Sequence, residues 1–188
     1  MQAARHAWSE AQPAMDVEKL VFIDETWAAT NLTRSYGRAP KGCRCVGSAP
    51  LGDWQTTTFV AGLRHHRLTA PMVVDGPMDG ELFLAWVEQF LCPALQTGDM
   101  VILDNLSSHK VHGVQQAITA VGAMALYLPP YSPDLNPIEK LFSKLKTLLR
   151  KAAKRSTEEL WTEIGELLNT VTSSECANYF ASSGYVGT

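Results

Sequence analysis

Residues 127–146 read "YLPPYSPDLNPIEKLFSKLK", with four prolines and two acids in the first thirteen residues and then a basic helical pattern. Each proline holds its φ near −65°, so the loop has little backbone freedom to lose when it places the next element. Asn136, Pro137, Ile138 and Glu139 fit the N-cap, N1, N2 and N3 positions of a helix, with proline where a missing N–H costs nothing. Ile138, Leu141, Phe142, Leu145, Leu148, Leu149, Ala152 and Ala153 recur at helical period and predict a helix over 137–153. Glu139 borders that apolar stripe, and Lys146 and Arg150 share its azimuth within about 20°, taking ~100° per residue. Glu139 therefore has two readings. It closes a capping box with Asn136, or it is a carboxylate delivered, with two cations in line, to a phosphate backbone beside a metal site. The two need not exclude each other, because Asn136 and Pro137 fix the helix start either way.

Upstream, "KLVFIDE" (19–25) and "MVILD" (100–104) are short apolar runs ending in acids, the pattern of buried strands whose ends reach a site. "TTTFVAGL" (56–63) and "LTAPMVVDG" (68–76) read as two more strands joined by the polar "RHHR", and "AMALYL" (123–128) as a fifth. Asp79 caps a helix over 80–95, residues 108–121 form another, and Ser156 with Glu159 opens a helix near 158–171, with a last short one around 174–180. Three strands in succession suit an antiparallel meander, and alternation afterwards suits parallel crossovers. The expected fold is α/β: a mixed five-stranded sheet, a three-strand antiparallel meander plus two parallel strands, flanked by helices. Residues 1–17 form a helical lead-in and 18–188 the main domain.

With the fourth strand parallel to the first, Asp24 and Asp104 lie side by side, because adjacent strands are ~4.8 Å apart. Two such carboxylates and a third from another element suit divalent ions with oxygen ligands, which can serve in-line phosphoryl displacement. Glu139 is the natural third. Glu25 points to the other strand face from Asp24. Asp134 reads as a turn former, and Asp75 and Asp99 as loop residues. Asn105 and His109 either orient Asp104 or simply begin the next helix.

The net charge of −3 conceals two acid-free basic windows. Arg34, Arg38, Lys41 and Arg44 fall in residues 31–46, while Lys140, Lys144, Lys146 and Arg150 fall in 140–155 with Lys151, Lys154 and Arg155. Together these hold eleven of the sixteen basic residues, a clustered footprint suited to a polyanion. Hydrophobic residues make up 46% of the chain, enough for a core, yet no run is long enough to span a bilayer. The four cysteines are scattered. Cys43 and Cys45 with His65 and His66 make a poor zinc set, since adjacent histidines on a strand face opposite ways. A flavodoxin-like nucleotide binder would need a glycine-rich loop after the first strand, and "DETWAATN" supplies none.

With "FIDET" around Asp24, "LDNLSSHK" around Asp104 and "LPPYSPDLNPIEKLFSKLK" around Glu139, the chain resembles bacterial insertion-sequence transposases of the Tc/mariner superfamily, the DDE group with a ribonuclease-H-like fold. "GRAPKGCR" and "EELWTEIGELL…ECANYFASSGY" extend the likeness to about residues 17–185. The resemblance implies DNA strand cleavage followed by 3′-OH strand transfer, with Asp24, Asp104 and Glu139 holding two Mg²⁺ or Mn²⁺ ions. Asn105, His109 and Asn136 would support those three residues. The implied partner is double-stranded DNA, at element ends and target, bound by a homodimer assembled on it. The implied location is the bacterial cytoplasm, at the nucleoid. Relatives usually carry an N-terminal helix-turn-helix region, and about 17 residues before the first strand are too few for one. The chain thus reads as the catalytic half: a truncated copy, a reading frame joined by frameshifting to a separate end-reading helix-turn-helix module, or a cloned domain. The alternative is a catalytically silent DNA-binding remnant.

Overall fold

A computed structural model describes residues 2–186. Its centre is β1 (Leu20–Ala29), whose Leu20, Val21, Phe22 and Ile23 are all fully buried, as a strand covered on both faces requires. β2 (Thr56–Leu63) and β3 (Leu68–Asp75) extend the sheet antiparallel on one side. β4 (Met100–Leu103) and β5 (Met124–Tyr127) extend it parallel on the other, giving the order β3-β2-β1-β4-β5. The meander and the two parallel strands agree with the sequence reading.

Strand parity sorts the core into two layers. Leu20, Phe22, Phe59, Ala61 and Ile102 face α4 (Pro137–Ala152), α5 (Thr157–Asn169) and α6 (Ser173–Ser182). Val21, Ile23, Val60, Val101 and Leu103 face α2 (Gly80–Trp86) and α3 (Val114–Ala120). The N-terminal helix α1 (Gln2–Ala11) joins the first layer. Its Trp8 indole donates to the Tyr185 hydroxyl (2.8 Å), and Arg5 pairs with Asp134 through both guanidinium NH₂ groups (2.9 and 2.7 Å). The lead-in is thus packed onto the body, and Asp134 is an ion-pair partner as well as a turn residue.

Three local expectations need correction. The helix expected over 80–95 is α-helical only to Trp86. It continues as a widened π-type turn, Val87–Leu91, that keeps Val87 and Leu91 buried, and ends in a tight turn at Cys92–Ala94, where Pro93 offers no N–H. The helix expected over 108–121 is split. Ser108–Lys110 form one tight turn that drops His109 into the core, Gly113 reverses the chain at φ +109°, and α3 begins after it. "RHHR" is not wholly a polar link, because Arg64 is buried and pairs at 2.6 Å with Asp99, a loop residue as expected but a buried one, whereas Asp75, also expected in a loop, closes β3.

Candidate active site

β1 does not stop at Asp24. It runs on to Ala29, paired with β2, while its pairing with β4 ends at Phe22↔Ile102. Two residues further along each chain stand Asp24 and Asp104, so the acids sit where β1 and β4 part. Asp24 shares the parity of Phe22 and Asp104 that of Ile102, so both lie on the α4 side of the sheet. The parting opens a cleft of about 450 Å³, lined by Asp24, Asp104, Asn105, Asn136 and Glu139 with the wall of residues 128–133. Acids from three elements far apart in sequence meet at one opening.

The stiff loop delivers Glu139 as expected, but the capping reading is settled against. The Asn136 side chain makes no cap hydrogen bond. Instead its amide donates to Asp24 Oδ2 at 2.9 Å, and only its backbone carbonyl accepts from the Glu139 N–H (3.2 Å). Pro137 needs no cap and the helix start is otherwise buried, so the amide is released to the carboxylate. Glu139 itself is exposed and makes no side-chain hydrogen bond or ion pair among the described residues.

Asp24 is 5% exposed. Burial, with the charge of Glu139 and then of Asp104 adding to it, lifts its carboxyl to about 7, against hydrogen bonding from the Glu25 N–H. Asp104 goes the other way. Burial alone would raise it, but His109 and the Leu106 N–H hold it below the usual carboxylate range.

His109 lies behind the cleft, not in its lining. Its ring is fully buried, 4.3 Å from the Phe83 ring, with Nδ1 2.6 Å from Asp104 Oδ1 and Nε2 3.7 Å from Glu25 Oε2. These are charge contacts whose directions fall outside hydrogen-bond geometry. Burial alone would lower the imidazolium pKa, and the two carboxylates outweigh it and raise it to about 9. Asn105 ties the end of β4 to the proline loop by donating to the Leu128 carbonyl, and it accepts from Lys110 (2.8 Å). Glu25 was missed as a partner of His109. Its opposite parity to Asp24 was the available signal, and it needed the helix break at Gly113 to be interpreted.

The basic windows divide. Lys140 is tied to Ser183, Lys144 to Glu175, Lys154 to Glu163 (3.3 Å), and Arg155 to the carbonyls of Thr30 and Leu32 (2.9 and 2.8 Å). Lys146 sits over the Trp27 ring at 5.0 Å, and Arg34, Arg150 and Lys151 line one surface groove. Arg38, Lys41 and Arg44 are exposed on the loop between β1 and β2. His65 and His66 both contact Glu18 (2.8 and 3.4 Å), while Cys43 and Cys45 stand as free, exposed thiols.

Asn136→Ala should remove a hydrogen bond to a buried carboxylate. The expected cost is about 1.5–3 kcal/mol, a fall of about 3–12 °C in Tm, measured by thermal unfolding at pH 8. An unchanged Tm would mean that Asn136 does not hold Asp24.

The fold and its parted-strand cleft define a ribonuclease-H-like α/β protein. Over residues 19–161 the chain matches the family model described as DDE superfamily endonuclease, and it belongs to that family. No curated protein sequence matches it. Among solved structures it is similar to the pre-cleavage Mos1 transpososome (TM-score 0.78, 13% identity, 97% of this chain and 58% of that one). It is also similar to the mariner Mos1 paired end complex with Mg (0.78, 15%, 97% and 57%) and to the catalytic domain of Mos1 mariner transposase (0.69, 14%, 97% and 85%). The chain thus spans less than two thirds of the longer Mos1 chains. No helix among the described residues is long and apolar enough to cross a membrane.

Proposed function

We propose that residues 18–188 are the catalytic domain of a DNA transposase, cutting a phosphodiester at an element end and joining the freed 3′-OH to target DNA. The observation that carries this reading is the convergence of Asp24, Asp104 and Glu139 on one cleft in a chain of the DDE endonuclease family.

Among the described residues no group of three or more His, Cys, Asp or Glu side chains stands in ready metal-holding geometry. The donor set nevertheless fits divalent ions. All three groups are hard oxygen donors suited to Mg²⁺ or Mn²⁺, and Asp24 is lifted to about 7 by burial first and then by the charge of Glu139, which is unpaired among the described residues. Asp24, Asp104 and Glu139 would hold two ions, which when bound activate the attacking oxygen and stabilise the leaving one. Asn136 fixes Asp24, and His109 holds Asp104 ionised and in place. Lys146, Arg150 and Arg34, with Arg38, Lys41 and Arg44, receive the phosphate backbone of double-stranded DNA. Lys140 and Lys144, already engaged with the C-terminal region, contribute less than their place in the basic run implied. A homodimer assembled on DNA and a separate helix-turn-helix module reading the element ends complete the reaction, at the bacterial nucleoid.

Incubated with supercoiled plasmid, the purified chain should nick DNA in Mg²⁺ or Mn²⁺, and nicking should vanish with chelator and in Asp104→Asn. Cleavage that persists with chelator would overturn the reading. Salt-dependent binding without cleavage in any metal would leave the silent remnant.

A further inference from the structure

The loop of residues 128–136 is held at both ends. Asn105 donates to the Leu128 carbonyl, and the Leu128 N–H donates to the Leu103 carbonyl at 2.8 Å. At the far end the Tyr185 hydroxyl donates to the Leu135 carbonyl (2.9 Å), and Arg5 grips Asp134. Pro129, Pro130 and Pro133 restrict the chain in between. At the apex Tyr131 has φ +55°, a left-handed conformation that bulky side chains rarely take. Its ring is 85% exposed and belongs to neither core layer, although it lines the cleft of Asp24, Asp104 and Glu139. A strained backbone on a rigid loop thus holds a large aromatic ring in solvent at the lip of the cleft.

We propose that Tyr131 is a base platform. Its ring stacks on an unpaired nucleobase adjoining the phosphate in the cleft, and so sets the register of the strand against the three carboxylates. The inference rests on the DNA-cleaving reading above. Every base offers a π-face, so stacking of this kind positions the strand without selecting its sequence. The loop is already rigid, so little side-chain and backbone order remains to be imposed on binding.

The test uses a forked DNA duplex carrying 2-aminopurine at the first unpaired position, titrated without divalent ion so that no strand is cut. Wild type and Tyr131→Phe should quench the probe on binding. Tyr131→Asn, which keeps a residue tolerant of positive φ but removes the ring, should bind without quenching. In Mg²⁺, Tyr131→Asn should lower cleavage beside the junction roughly 10–100-fold. On the same fork with an abasic site at the probe position, it should cleave as wild type does. Quenching retained in Tyr131→Asn, or an equal loss on intact and abasic forks, would overturn the proposal. Forks left uncut by wild type in both Mg²⁺ and Mn²⁺ would overturn the cleavage reading, while the quench would still decide the stacking.

Discussion

Glu139→Gln should lower divalent-metal-dependent DNA cleavage on the order of 10³-fold, as expected when several kcal/mol of metal-borne stabilisation is lost, while leaving the fold as it is. The side chain is exposed and makes no hydrogen bond or ion pair among the described residues, so the amide removes a charge and no structural contact. A Tm change within about 2 °C is expected for such a surface exchange. This separation sets Glu139 apart from Asp24 and Asp104, whose oxygens accept hydrogen bonds from Asn136 and from backbone N–H groups. Plasmid nicking and thermal unfolding of the same preparation check both halves. Activity retained within about threefold would remove Glu139 from the site, and a collapse of Tm would reassign it to the fold.

His109→Ala should do the opposite and damage stability and activity together. It removes a buried ring stacked on Phe83 and leaves Asp104 and Glu25 without the positive charge between them. Breaking a buried pair from one side costs about 3–5 kcal/mol, a fall on the order of 10 °C in Tm. If Asp104 holds metal as proposed, loss of the group that orients it costs a further 10–100-fold in activity, roughly. The pH dependence identifies the cause. His109 rises from its ordinary 6.5 to about 9 on folding, so its stabilisation is full below pH 6.5 and is lost as pH rises toward 9. The loss is on the order of 3 kcal/mol. Asp24, raised from 3.8 to about 7, gives a second decline that starts near pH 3.8 and levels off about a unit above pH 7. Between about pH 8 and 9 the slope for the metal-free protein should therefore come mainly from His109 and flatten in His109→Ala. An unchanged slope in the variant would mean that the charge on His109 does not support the fold.

Much of this site is legible in the residues. Hydrophobic runs ending in acids marked β1 and β4. The apolar stripe of α4 fixed its azimuth, and the prolines marked a loop with a positioning task. The limits arose where two elements had to meet before either could be understood. Asp24 seemed to end a strand because its run of apolar residues ends there. β1 in fact continues along β2, whose register no local pattern reveals, and only its β4 neighbour departs. Asn136 has the side chain and the position of a helix cap, yet a buried carboxylate is the stronger acceptor, and Asp24 lies 112 residues away in the chain. Helical spacing placed His109 in a regular helix, whereas the Gly113 turn frees it to enter the core between Asp104 and Glu25. The basic run on α4 was read as one footprint, but α6 and the C-terminal turn, invisible to a count of charges, claim Lys140 and Lys144.

Whether Asp24, Asp104 and Glu139 form one divalent-metal site decides the proposed function. Anomalous diffraction from a crystal soaked in Mn²⁺ tests it most directly. Manganese density in contact with Asp24 and Asp104 and within reach of Glu139 is the predicted result. A cleft without manganese at a concentration that supports nicking, or manganese held instead at Glu18 with His65 and His66, would contradict it.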